Sequence, residues 1–256
     1  MSSIDFNCDM GESFGTWRKG ADEAIMPYIT SANIACGAHA GDPDTMAATV
    51  RLARSHGVEV GAHPGYPDLI GFGRRPMSLS RDELIHRLLF QLGALWAIAR
   101  GEGLELSHVK PHGALYNSAC TDLDLALAVV DALAAFSAGL PLVGLPASRL
   151  EQAAHQKGIP FMREGFADRA YEPDGSLRDR RRPGSLLASP EEAAAQAVQL
   201  ARGSVRCYDG SKLTLNIDTI CIHGDTPGAA DIAARVRGAL EAEGIVVERT
   251  RVAGAS

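Results

Sequence analysis

The sequence predicts an α/β fold, a TIM-like parallel βα barrel of about seven strands formed as one domain over residues 1–256. Three observations lead there. Short apolar segments alternate with amphipathic helices along the chain, the pattern of parallel βα units. The length of 256 residues matches a single barrel of this kind. Nearly every apolar segment ends in a burst of polar, proton-active residues, and a closed barrel gathers such endings on one rim. A doubly wound open sheet is the competing architecture and accounts less well for that shared polarity.

The strands are read from segments too short for buried helices and often β-branched. They are Ile4 to Phe6, Ala32 to Ala35, Val58 to Ala62, Ser107 to Val109, Leu142 to Leu145, Ile159 to Met162 and Thr219 to Ile222, with Ile245 to Val247 as a candidate eighth. The helices carry local start and stop signals. Asp42-Pro43 supplies an N-cap and a first helical residue, and Gly57 the stop. Ser80-Arg81-Asp82-Glu83 is a capping box; it opens a helix with Leu84, Leu88, Leu92 and Trp96 on one face, closed near Gly101. Thr121-Asp122-Leu123-Asp124 opens the next, with Leu123, Leu127 and Val130 in register. Ser189-Pro190-Glu191-Glu192 opens another, and Thr226-Pro227 the last, with Ile232, Val236 and Leu240 in line and Gly244 as the stop.

Composition narrows the function. Hydrophobic residues at 46% and charged residues at 22% fit a globular protein. A net charge of −6 argues against nucleic acid as a partner, since phosphate binding needs a basic face. No apolar run approaches the roughly 20 residues of a membrane helix. The start, Met1-Ser2-Ser3-Ile4-Asp5, has no signal-peptide pattern. Five cysteines without a Cys-x-x-Cys pair argue against a disulfide scaffold and for a reducing cytoplasm.

The polar endings carry the chemistry. Strand one runs into Asn7-Cys8-Asp9-Met10-Gly11-Glu12, the second into Cys36-Gly37-Ala38-His39, and the third into Gly61-Ala62-His63-Pro64. The fourth gives Lys110-Pro111-His112-Gly113, the sixth Glu164-Gly165-Phe166-Ala167-Asp168-Arg169, and the seventh His223-Gly224-Asp225. Such a rim holds carboxylates, imidazoles and one lysine close enough to perturb one another's proton affinity, with desolvation expected to push Lys110 down. His39, His63 and His223 with Asp9 form a reasonable ligand set for a divalent cation. Cys8, Cys36 and Cys221 read as small buried cysteines rather than nucleophiles. Arg178-Asp179-Arg180-Arg181-Arg182 reads as a solvated loop, with guidance of an anion as the alternative, whereas Gly71-Phe72-Gly73-Arg74-Arg75 could bring backbone amides and arginine to an anion.

Several of these strings resemble the LamB/YcsF family of 5-oxoprolinase A subunits, also called lactam utilization proteins. They are Asn7 to Glu12, Asn33 to Gly37, His39 to Pro43, Gly61 to Pro64, Gly71 to Arg75, Val109 to Asn117, Phe166 to Arg169 and His223 to Asp225. The resemblance implies a barrel related to glycoside hydrolases and polysaccharide deacetylases. It also implies ATP-dependent hydrolysis of 5-oxo-L-proline to L-glutamate together with 5-oxoprolinase B and C subunits. The chain has no Gly-x-x-x-x-Gly-Lys-Ser/Thr loop, so ATP is expected to bind mainly with the partner subunits.

On that picture Asp9 or Glu12, with His39 or His63, is the expected general base. Lys110 and His112 stabilise the oxyanion or protonate nitrogen. Arg169 grips the substrate carboxylate, with Asn7, Asn33, Arg74, Glu164, His223 and Asp225 completing the binding surface. Two other functions fit the same residues: a metal-dependent deacetylase or amide hydrolase needing no ATP, and a non-catalytic lactam-binding subunit.

Overall fold

Asp5-Phe6-Asn7-Cys8-Asp9-Met10 alternates polar and apolar residues, and all six are buried. In an extended chain that alternation sends one set to each face. Phe6, Cys8 and Met10 join the apolar core, while Asp5, Asn7 and Asp9 hydrogen-bond to residues of other strands across a polar interior. The computed structural model describes residues 2–187 and 189–249; Met1, Ala188 and 250–256, which include both ends of the expected domain, lie outside the described residues.

The strands are β1 (Ser3–Met10), β2 (Ser31–Ala35), β3 (Glu59–His63), β4 (Leu106–Val109), β5 (Leu142–Gly144), β6 (Phe161–Phe166), β7 (Ser204–Arg206), β8 (Lys212–Thr214), β9 (Thr219–His223) and β10 (Val246–Val247). Strands β1 to β6 and β9 pair in parallel in that order, and β9 pairs back onto β1, which closes a seven-stranded barrel. The candidate eighth strand, β10, pairs only with Ser3 and Ile4, at the start of β1. The antiparallel β7–β8 hairpin stands apart from the barrel sheet and is absent from the sequence expectations.

The helices are α1 (Asp22–Ile25), α2 (Pro43–His56), α3 (Arg81–Gly101), α4 (Gly113–Ala119), α5 (Leu123–Ser137), α6 (Arg149–Lys157), α7 (Pro190–Ala201) and α8 (Ala229–Ala242). Among the described residues none is long and apolar enough to cross a membrane. Capping is local chemistry and follows the expectations closely. Asp42 accepts from Thr45 N at 2.8 Å, and Gly57 closes α2 with φ 66°. Ser80 and Glu83 form the capping box of α3.

Two helical expectations are corrected by the fold. On α3, Leu84, Leu88 and Leu92 are buried, but Trp96 is 36% exposed and Leu95 takes the inner position. Steps of four residues drift about 40° each around a helix of 3.6 residues per turn, and one step of three restores the register. The last helix starts at Ala229, after Gly228 at φ 76°, rather than at Thr226-Pro227. Thr226 and its neighbours are instead part of the turn that follows β9: Thr226 N donates to the His223 carbonyl.

Candidate functional site

The carboxyl ends of the strands deliver the predicted side chains to one end of the barrel. The register places Asp9 beside Asn33 on β2 and beside His223 on β9. At the centre is Lys110, immediately after β4 and only 2% exposed. Its Nζ lies 2.8 Å from Asp9 Oδ1, 2.8 Å from Glu164 Oε1 and 3.0 Å from Cys221 Sγ. Asn33 Nδ2 donates to Asn7 Oδ1 at 2.7 Å and to Asp9 Oδ1 at 2.9 Å, which fixes both acceptors.

Asn33 Oδ1 in turn faces His108 Nε2 at 2.6 Å. Space for the His108 ring exists only because residue 61 is glycine: a Cβ there would sit 2.1 Å from His108 Nε2. Glu164 lies inside β6 and Asn7 and Asp9 inside β1, so the expected strand boundaries were too short. Buried polar side chains facing the barrel interior interrupt the apolar run that marks a strand in sequence.

Beside the lysine stands a group of imidazoles. His39 and His112 stack with centroids 3.8 Å apart, and His63 meets both edge-on. His63 Nε2 lies 3.3 Å from Asp9 Oδ2, and His112 Nδ1 is 3.9 Å from Glu12 Oε1. The loop after β3 covers this group. Phe72, at φ 55°, packs on His39 and His112 and accepts from His112 Nε2 through its carbonyl at 2.9 Å. A left-handed phenylalanine is rare, and such positions cluster at functional sites. Gly73 at φ 63° follows, and a Cβ there would meet both His39 and His112 at 2.8 Å.

The mouth of the site is built from charged pairs. His223 Nδ1 faces Asp168 Oδ2 at 2.9 Å. Asp225 pairs with Arg74 at 2.8 Å and Lys19 at 3.1 Å, and both cations lie over the Phe72 ring. Arg169 is buried and directs Nε to the Ser185 carbonyl and Nη2 to the Arg178 carbonyl. These two bonds brace the loop after β6 and take up the Nε–Nη2 edge of the guanidinium. The stretch from Arg178 to Arg182 is not simply solvated: Arg178 and Arg180 are half-buried, and Arg180 shares the field of Arg74, Asp168 and Asp225.

The protonation states follow from this packing. Burial works against charge on Lys110, but Asp9 and Glu164 outweigh it and hold its pKa well above the usual lysine value, opposite to the downward shift expected from desolvation. Burial also opposes ionisation of Asp9, yet His63 and Lys110 hold its carboxyl well below the ordinary carboxylate range. Glu12 is raised well above that range by burial and by repulsion from Asp9 and Asp225. Burial likewise lowers His39 and His112. The thiols of Cys8, Cys36 and Cys221 are raised by burial, consistent with inert core cysteines.

His108 gives a pH prediction. Burial first, and then Lys110 and His63, push it down to about 3. The unfolded chain therefore binds up to one proton more than the fold between about pH 6.5 and 3, and stability is lost as the pH is lowered through that window. Urea unfolding of His108→Gln should show a shallower acid slope than wild type, by up to about 1.4 kcal/mol per pH unit. Identical slopes would contradict a neutral His108.

Asp9, His39, His63, Lys110 and His223 thus meet at the carboxyl end of the barrel, together with Asn7, Glu12, Asn33, His112, Glu164, Arg74 and Asp225. The expected cation ligand set does not hold together as read. His223 is turned to Asp168, while His112 and Glu12 stand with His39 and His63. The sequence does not show that Asp168 is the partner of His223, that Arg180 shares its field or that His108 stands behind Asn33. Asp168 carried a signal in its place in a strand-end burst, and Arg180 in the basic stretch from Arg178 to Arg182.

The fold and site together define a closed parallel barrel with a buried network of ionisable side chains at its carboxyl end. The chain belongs to the LamB/YcsF family, whose model matches residues 4–254. It is 54% identical over 249 residues to the 5-oxoprolinase A subunit of Chloroflexus aurantiacus, covering 97% of this chain and 98% of that one. The 5-oxoprolinase A subunit of Pyrococcus furiosus is 51% identical over 245 residues, covering 95% and 96%. The crystal structure of the lactam utilization protein from Thermus thermophilus matches with a TM-score of 0.92 at 47% identity, covering 97% of this chain and all of that one.

Proposed function

We propose that this chain is the A component of an ATP-dependent 5-oxoprolinase, which hydrolyses 5-oxo-L-proline to L-glutamate while ATP is cleaved to ADP and phosphate. The observation that carries the reading is the Lys110 ammonium held between Asp9 and Glu164 beside the imidazole group. The name shared by the relatives, that of the 5-oxoprolinase A component, supports the substrate.

A lactam carbonyl is a poor electrophile. B and C subunits bind ATP and transfer its terminal phosphoryl group to the lactam oxygen, releasing ADP. In this chain Asp9, kept as the carboxylate by Lys110 beside it, orients and deprotonates a water that adds to the activated carbon. Lys110 stabilises the negative charge that develops on oxygen. The ring C–N bond then breaks and nitrogen takes a proton, leaving the acyl phosphate of glutamate. A second water releases phosphate.

The proton for nitrogen falls to His223, because its Nδ1 is held by Asp168 and its Nε2 remains for substrate. The two nitrogens of His112 already face the Phe72 carbonyl and His63. Arg74 and Arg180 are the arginines assigned to the substrate carboxylate, since Arg169 already gives its Nε–Nη2 edge to two backbone carbonyls.

Recombined A, B and C subunits, each omitted in turn, test the reading. Glutamate should require all three, and ADP should form without this chain. Undiminished glutamate release in its absence would overturn the proposal. A second reading, ATP-independent amide hydrolysis with a bound metal, draws on the cluster of His39, His63, His112 and Glu12. Turnover of an acetylated sugar by this chain alone, abolished by chelator, would favour it.

A further inference from the structure

The geometry points to a divalent transition-metal site formed by His39, His63, His112 and Glu12, whose ligand atoms lie within 4.8 Å of one another. It occupies the region given the hydrolytic role above, but it rests on donor geometry and not on the lactam reading.

Two backbone carbonyls fix two tautomers. A carbonyl oxygen only accepts, so His63 Nδ1 carries the proton it donates to the Lys110 carbonyl at 2.7 Å. In the same way His112 Nε2 carries the proton it donates to the Phe72 carbonyl at 2.9 Å. The other nitrogens, His63 Nε2 and His112 Nδ1, are then bare lone pairs in the neutral rings, and they face each other at 3.0 Å. Oxygens of Asp9 and Glu12 border the same point, at 3.3 Å from His63 and 3.9 Å from His112.

His39 supplies an independent observation. It is fully buried against His112, yet among the described residues neither ring nitrogen has a hydrogen-bond partner. A buried polar group left unmatched loses its hydration without compensation. A proton shared between His63 and His112 would relieve only that pair. A cation relieves the pair, gives His39 a partner and takes the Glu12 carboxylate as a further ligand in place of its proton.

The outer contacts fit as well. Metal-bound histidines donate their second N–H to a carbonyl or carboxylate, as His63 and His112 do here. A set of imidazoles with a carboxylate suits Zn²⁺ or Co²⁺ rather than the all-oxygen preference of Mg²⁺ or Ca²⁺. Bonds of about 2.0–2.1 Å place tetrahedral ligand atoms roughly 3.3 Å apart. The His63–His112 spacing of 3.0 Å is already close to that value.

The test uses the full chain, freed of metal by chelation and without lactam. Calorimetric titration with Zn²⁺ should give one equivalent per chain. His63→Ala and His112→Ala should each weaken binding at least about 100-fold. His155→Ala, on an α6 histidine whose side chain is 61% exposed, should leave binding unchanged. Anomalous diffraction at the zinc edge should place the ion among the four residues in wild-type crystals, which keeps the inference testable if a variant fails to fold. No binding by wild type, binding indifferent to both substitutions, or an ion located elsewhere would overturn it. Because no lactam is present, the result is independent of whether the chain belongs to a working 5-oxoprolinase.

Discussion

Lys110→Met should lower the stability of the fold at neutral pH by about 3–5 kcal/mol, the usual consequence of removing one partner from a buried ion pair. Asp9 and Glu164 both lie 2.8 Å from the Lys110 nitrogen, and both are buried. Methionine fills the space of the lysine stem but leaves two carboxylates without a counter-charge. One of them then gains stability by holding a proton, so the variant's folded state binds protons that its unfolded state has lost. The loss should therefore be larger at pH 8 than at pH 5. Urea unfolding at the two pH values reads this directly. A change below about 1 kcal/mol at both would mean that the lysine is not the counter-ion of the site.

Asp9→Asn should reduce glutamate formation by the assembled complex by about 10²- to 10⁴-fold, the range for loss of a positioned acid or base. Asparagine has nearly the shape of aspartate, so the packing around Asn33, His63 and Lys110 is largely kept. What disappears is the charge. Asp9 Oδ1 accepts from both Asn33 and Lys110, while Oδ2 faces His63. The neutral amide can neither take a proton from water nor balance the lysine.

The barrel was legible because its signals are local. Asp42 and Gly57 bound α2, and Ser80 and Glu83 open α3, through contacts among neighbours in sequence. Residues within a few positions of each other determine such caps, and no tertiary information is needed. The polar rim was legible for a different reason. Asp9, His63, Lys110 and His223 each end an apolar segment, and a parallel barrel must bring those endings together.

What escaped the sequence depends on partners far along the chain. Glu164 reads as the start of a loop until Lys110, 54 positions away, is seen beside it. The upward shift of Lys110 needs two carboxylates from two other strands, so burial alone gave the wrong direction. Arg169 looked wholly free to bind substrate because nothing nearby in sequence shows that the Ser185 and Arg178 carbonyls take its Nε and one Nη2 proton. The pairing of His112 with His63, in place of an expected His223, likewise arises from loop geometry after β3 and β4.

On the proposed function, water meets the activated lactam at Asp9 and Lys110 in this chain. Glutamate and ADP measured in one reaction, with the Asp9→Asn variant of this chain and wild-type B and C subunits, test it most directly. ADP should continue to form while glutamate falls by at least about 100-fold. Glutamate released at the wild-type rate would place the hydrolytic chemistry elsewhere.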